Sequence, residues 1–202
     1  MATSVTKHAR LDREDRRGAL LDVAAELVAS GDIDAVTMDA VAERAGVSRP
    51  LVYKHFANRA ELLEALYTRE AAALHAELSS EVAHAETLED MFRALVRGSL
   101  AAQAARGATY AALRAVGRSD MLRREQRARD RNTLSFFARQ TVRQFGLSET
   151  QARAAVSIML GAIDSVLNAF RVRPTRDHAT LLEDTYVTLA VAGMRALEGA
   201  GR

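Results

Sequence analysis

Apolar residues recur at helical spacing along nearly the whole chain. Ala19, Leu20, Val23, Ala24, Leu27 and Val28 share one face of a first helix, expected from about Asp12 to Ser30 and ended by Gly31. Thr37 is a good N-cap for a short second helix that stops before Gly46. Ser48 is placed to cap a third, running through about His55, and Asn58 with Glu61 has capping-box spacing for a long fourth carrying Leu62, Leu63, Leu66, Tyr67 and Leu74. Thr87 with Asp90 opens a fifth helix, expected to fade near Gly107. A sixth is expected over Ala108 to Val116, before Gly117, and a seventh from Ser119 or Asp120 to Phe145, before Gly146. Ser148 with Gln151 is another capping box, opening an eighth helix to about Arg171. After Pro174 a last helix runs from about Asp177 to Leu197. The pattern predicts an all-α chain of about nine helices. An N-terminal three-helix head (1–57) precedes a C-terminal helical body (58–202).

Composition agrees. With 49% hydrophobic residues but only 5% aromatic, the core must rest on Ala, Leu and Val, which favours helices. Two prolines in 202 residues leave room for long ones. The absence of Cys excludes disulfides, thiolate metal sites and thiol redox sensing. No apolar h-region follows Met1, and the uncharged stretches Ala154–Ile163 and Thr185–Met194 fall short of the roughly 20 residues a spanning helix needs. A cytoplasmic protein with no membrane partner is expected.

The net charge of +2 says little by itself, but its distribution is uneven. From Gly18 to Glu43 the chain carries Asp22, Glu26, Asp32, Asp34, Asp39 and Glu43 and no Lys or Arg. From Arg44 to Arg59 it carries Arg44, Arg49, Lys54 and Arg59 and no acid. Within this region Ala42 and Gly46 lie four apart and Val52 six further on. Two short helices crossing steeply need such spacing: a small residue at the approach, a glycine able to turn left-handed, and apolar residues (Val41, Ala45, Val47, Val52) between them. A plain helical corner would use the same pattern. The segment Ser48 to Phe56 favours DNA, because a hydroxyl, two cations, a phenol and an imidazole can reach phosphates and base edges.

Thr37 through Leu63 resembles the DNA-binding head of the tetracycline-repressor (TetR) family. The residues that carry the resemblance are Thr37, Val41-Ala42, Ala45-Gly46-Val47-Ser48, Tyr53-Lys54-His55-Phe56, Arg59 and Leu62-Leu63. Leu20 to Ala24 and Leu27 fit that family's first helix. The resemblance implies that Thr37 caps the second helix and touches a phosphate. Arg49, Pro50 and Leu51 would face the major groove. Tyr53 and His55 would hold the DNA backbone, with Ser48 and Lys54 on the same DNA-binding surface, and Arg59 would add a phosphate contact. Phe56 would be core. Pro50 departs from a common Gly, Val28 from a usual Phe, and Gly31 lies one position early.

The resemblance further implies that the body binds a small-molecule inducer and forms a homodimer. The eighth helix is apolar nearly all round from Ala154 to Phe170, and the last is broadly apolar, so each needs more than one partner. Packing both against symmetry mates would satisfy them; so would burial inside a monomer. Ser157, Gly161, Asp164, Ser165 and Asn168 form a small or polar stripe that suits either a dimer face or a pocket. Pocket candidates are Tyr67, Phe92, Tyr110, Arg114 and Phe137, with Phe136, Gln103 and His75 beside them. The run of Arg118, Arg123, Arg124, Arg127, Arg129 and Arg131 reads as an exposed charged face, or else as a site for DNA or an anion. In the N-terminal arm, Lys7, Arg10, Arg13, Arg16 and Arg17 are diluted by acids and read as a solvated helix start rather than a DNA contact. No phosphate-binding Gly loop, His-Glu-x-x-His or Gly-x-Ser-x-Gly occurs, and the five histidines are scattered, so no enzyme, metal or cofactor is expected. Two functions fit: a ligand-responsive DNA-binding regulator, most naturally a repressor on a near-palindromic operator, or a helical small-molecule-binding protein that does not read DNA.

Overall fold

A computed structural model of the chain describes residues 13–30, 33–115 and 120–200, and among these the side chains of all but 108, 111–115, 120–123, 125, 199 and 200. The described residues form eight helices and no strand. They are α1 (Arg13–Ala29), α2 (Met38–Arg44), α3 (Arg49–His55), α4 (Arg59–Ala83), α5 (Leu88–Ala115), α6 (Asp120–Phe145), α7 (Glu149–Val172) and α8 (Arg176–Ala200). The expected all-α class is what the chain adopts. Gly31, Gly117 and Ser119, read as helix boundaries, lie outside the described residues.

The caps explain most of the boundaries. Thr37 accepts a hydrogen bond from the Ala40 amide at 3.0 Å. Asn58 accepts from the Glu61 amide at 2.9 Å, while the Glu61 carboxylate reaches back to the Ala57 amide at 2.7 Å, one residue beyond the usual box. Ser148 and Gln151 form a complete capping box. Gly146 ends α6 at φ 64°. Ser48 occupies the N-cap position of α3, but its side chain makes no capping bond.

One expected boundary is absent. The fifth and sixth predicted helices are a single 28-residue α5. Gly107 does not stop it, because the glycine makes room instead: a Cβ there would collide with the Gln103 side chain. Gly98 serves in the same way, its bare face lying against Leu78 of α4. On α1 the buried face is Leu20, Leu21, Ala24 and Val28; Ala19, expected inside, is exposed.

The chain divides into two compact units. The first holds the described residues of Met1–Arg69 and Ala108–Gly117, the second those of Glu70–Gly107 and Arg118–Arg202. In the first unit Leu20, Ala24, Val36, Val41, Val52, Phe56, Leu62, Leu63 and Leu66 are buried, closing α1 to α3 and the start of α4 around one core. In the second, Phe92 packs against Phe137 with tilted rings (centroids 4.9 Å apart) and meets Tyr186 edge-on at 6.0 Å. Tyr186 donates to the Met159 carbonyl at 3.0 Å, and burial pushes its phenol pKa up. The nearly buried Glu183 of α8 takes two bonds from Arg97 of α5 (2.7 and 3.1 Å) and one from Arg93 at 3.3 Å.

At 24 residues, α7 is long and apolar enough to cross a membrane by length and composition, which its individual uncharged stretches did not suggest. Its faces differ, however. Ala152, Val156 and Phe170 are buried in the second unit's core. The opposite stripe, with Ser157, Ile158, Gly161, Asp164, Ser165 and Asn168, is exposed and carries polar groups that hydrocarbon would leave unsatisfied.

Candidate DNA-binding head and ligand cavity

The turn between α2 and α3 is set by a left-handed glycine, two backbone hydrogen bonds and the packing beneath them. Gly46 takes φ 64°. The Val47 amide donates to the Ala42 carbonyl and the Gly46 amide to the Glu43 carbonyl, at 3.0 and 3.1 Å. This pair of bonds closes the end of α2 and turns the chain sharply into α3. Val41 and Val52 meet in the core with no exposure, and Ala42 is small enough to let the helices approach.

The same packing decides what α3 shows to solvent. Val52 and Phe56 are fully buried, whereas Arg49, Pro50, Tyr53 and Lys54 are exposed, with Leu51 and His55 half-buried. Ser48, just before the helix, is exposed as well.

Electrostatics differ from the sequence pattern. The run from Arg44 to Arg59 lacks acids in sequence but meets them in space. Arg44 pairs with Glu26 at 3.2 Å, Arg49 with Asp39 at 2.7 Å, and Arg59 with Asp34 at 3.3 Å. Arg49 also lies over the Tyr53 ring, 5.6 Å from its centroid. Its guanidinium pKa is raised by the bond to Tyr53 and then by Asp39. Arg59 points inward: it donates to the Val36 carbonyl at 2.7 Å and the Ile33 carbonyl at 2.5 Å, tying the loop before α2 to the start of α4.

Positive charge gathers instead at the other end of α3. Arg17 of α1 lies over the Phe56 ring at 4.7 Å. The His55 imidazole is pushed below its ordinary pKa by burial and then by Arg13, Lys54, Arg16 and Arg17. Its Nδ1 is buried without a hydrogen-bond partner among the described residues. The α1 arginines therefore stand beside the recognition helix, which their sequence, diluted by Glu14 and Asp15, did not show. Lys7 and Arg10 lie outside the described residues.

The second unit contains a half-open cavity of about 270 Å³. It is lined by His75, Leu78, Ser79, Val82 and Ala83 of α4, Leu95 of α5, and Asn132, Thr133, Phe136 and Phe137 of α6. Of the five residues expected to bind a ligand, Phe137 lines it. Phe92 is core behind Phe137, and Tyr67 and Tyr110 belong to the first unit. The Arg114 side chain lies outside the described residues. Phe136 and His75, named beside those five, both line the wall, while Gln103 packs against Gly107. Leu78, Val82, Leu95, Asn132 and Thr133 were missed because aliphatic and small polar residues at helical spacing look the same in any core.

The architecture is a helix-turn-helix head on an all-helical chain. Residues 20–66 match the profile of the bacterial regulatory proteins of the TetR family. Over 60 residues the chain is 45% identical to the HTH-type transcriptional activator FasR of Mycolicibacterium smegmatis, a match spanning 30% of this chain and 27% of that regulator. Two solved structures share the fold over most of the chain. A TetR/AcrR-family regulator of Thermobifida fusca has a TM-score of 0.70 at 21% identity, covering 89% of this chain and 98% of that one. FadR of Bacillus subtilis, solved with stearoyl-CoA, has a TM-score of 0.64 at 16% identity, covering 87% and 98%. Residues 20–66 of the chain therefore carry a TetR-type DNA-binding domain, and the fold of the whole is similar to that of these regulators.

Proposed function

We propose that the chain is a dimeric, ligand-responsive transcription regulator that binds DNA through α3 and is released from a near-palindromic operator by a small-molecule inducer, acting as a repressor. The observation that carries the DNA-binding part is the two-sidedness of α3. Val52 and Phe56 anchor one side at zero exposure, and the side bearing Arg49, Pro50, Tyr53 and Lys54 is exposed. A helix held this firmly and displayed this openly fits a major groove.

In this reading Arg49, Pro50 and Leu51 face base edges. Ser48, Tyr53, Lys54 and His55 hold phosphates, and Thr37 caps α2 and touches one. Arg59 acts through the loop it clamps. The DNA-binding part is 1–57, and 58–202 binds ligand and dimerises. Two recognition helices of a two-fold dimer would then enter successive major grooves about 34–36 Å apart. The ligand-responsive part draws support from the cavity in the second unit and from the stearoyl-CoA bound to FadR of Bacillus subtilis. The cavity's mainly aliphatic and aromatic lining suits a mostly apolar inducer.

Fluorescence anisotropy with duplex DNA from upstream of the chain's own gene tests the reading. Tyr53→Ala or Lys54→Ala should weaken binding on every sequence, because phosphate contacts carry no sequence information. Arg49→Ala should change which sequence is preferred, by about 1–3 kcal/mol at the affected base pair. Equal losses on all sequences would remove Arg49 as a base reader. No binding at low salt by folded protein would favour the small-molecule-binding alternative.

A further inference from the structure

Helix directions orient the cavity. Gly98 of α5 lies against Leu78 of α4, and Arg106 against Glu77, so these helices run antiparallel. Gln144 of α6 accepts from the Leu88 amide and Phe137 packs against Phe92, so α5 and α6 are antiparallel too. It follows that α4 and α6 run the same way along the cavity. Val82 and Ala83 then stand level with Phe136 and Phe137, and Ser79 with Asn132 and Thr133. One end is apolar, floored by the buried Val82, Leu95 and Phe137. The other end offers hydroxyls, an amide and the His75 imidazole.

One turn further along the same face of α6 is Arg129, since 129, 132–133 and 136–137 are successive turns of one stripe. It is not itself part of the lining; by the register above it falls one turn beyond Asn132 and Thr133, at about the level of His75 and the cavity's polar end. Arg118 and the Arg123 side chain lie outside the described residues, and among the described arginine side chains of this segment Arg129 is distinctive. Arg124, Arg127 and Arg131 are exposed, as expected of a charged helix face, whereas Arg129 is half-buried and its Nη2 is buried without a hydrogen-bond partner among the described residues. A guanidinium nitrogen withdrawn from water without an acceptor is costly, and an anionic ligand oxygen would supply one.

We propose that this cavity binds an anionic amphiphile, with its apolar tail toward Phe137 and its anionic head held by Arg129. Size limits the tail. The cavity is about 270 Å³ and half-open, so a medium-chain tail can lie within it while a long-chain acyl tail must leave part of its length outside. The inference rests on the reading of the chain as a ligand-responsive regulator, and adds the ligand's charge, polarity and length.

Calorimetric titration of the full chain without DNA, using decanoate, decanol and palmitate, tests it. Decanoate should bind saturably and at least tenfold more tightly than either of the others. Arg129→Gln should abolish the preference for decanoate over decanol. Arg127→Gln, which removes the same charge from the exposed face, should leave it intact. Equal affinity for decanol and decanoate, equal effects of the two substitutions, or no binding by any probe would overturn the proposal. Anisotropy with the upstream duplex separates this site from the regulatory reading. If decanoate binds through Arg129 but leaves DNA affinity unchanged, the ligand site stands and release by inducer fails.

Discussion

Two residues in the head have consequences that no motif conveys. Arg59 stands where a phosphate contact was expected, yet its guanidinium is committed to the Val36 and Ile33 carbonyls. Arg59→Ala would remove charge-assisted bonds from a half-buried donor, costing about 1–2 kcal/mol after allowance for partial exposure. Urea denaturation should show this loss, and DNA affinity should fall along with loop order. His55 links the head to pH. Its folded pKa lies below the ordinary value because burial, and then Arg13, Lys54, Arg16 and Arg17, oppose the imidazolium. The unfolded chain therefore binds the proton more readily, and stability falls as pH drops below about 6.5, the unperturbed histidine value. His55→Gln should flatten that limb in a series of melts between about pH 5 and 8, the range over which histidine changes charge. If phosphates lie beside His55 in the complex, they offset the surrounding cations, so DNA binding should take up a proton and tighten as pH falls while the free protein weakens.

Helix boundaries were legible wherever local chemistry decided them. Thr37, Asn58, Thr87 and Ser148 each bond a backbone amide or carboxylate of their own first turn, and Gly46 and Gly146 take the left-handed conformation that a helix end favours. Gly107 misled because a glycine can serve either as a stop or as a clearance, and only the position of Gln103 distinguishes the two. Pairing across elements was hidden for a similar reason. The acidic stretch and the basic run are separate blocks in sequence, but α1, α2 and the loop before α2 bring Glu26, Asp39 and Asp34 onto Arg44, Arg49 and Arg59. The cap at Ser148 offers a direct test at this scale. Ser148→Ala removes one half of the capping box and should cost about 1 kcal/mol. A thermal melt would register it as a drop of a few degrees, with DNA binding unchanged at low temperature.

For the whole molecule, α7 and α8 pose the remaining question. Residues 157, 158, 161, 165, 168 and 172 fall on one side of α7 and are exposed, although Ile158 and Val172 are large and apolar. On α8, Leu181, Thr185, Thr188, Leu189, Ala192 and Ala196 likewise share an exposed, uncharged side. None of the α7 stripe lines the cavity, so Ser157, Gly161, Asp164, Ser165 and Asn168 suit a helix-packing face better than a pocket wall. Exposed stripes of small residues interspersed with large apolar ones (Ile158 and Val172 on α7, Leu181 and Leu189 on α8) are what a symmetric four-helix interface would cover, with Gly161 leaving space for close approach. Ile158→Glu combined with Leu189→Glu tests this with little risk to the fold, because both side chains are more than three-fifths exposed in the single chain. The expected result is a monomer by sedimentation with unchanged helical content. Because each head of such a monomer meets only one half-site, its affinity for a palindromic duplex should drop by at least 10²-fold, the lower end of the gain from linking two binding modules. An unaltered dimer would place the interface on another face. A monomer that still binds the palindrome at full affinity would show that the two heads do not need to be coupled through α7 and α8.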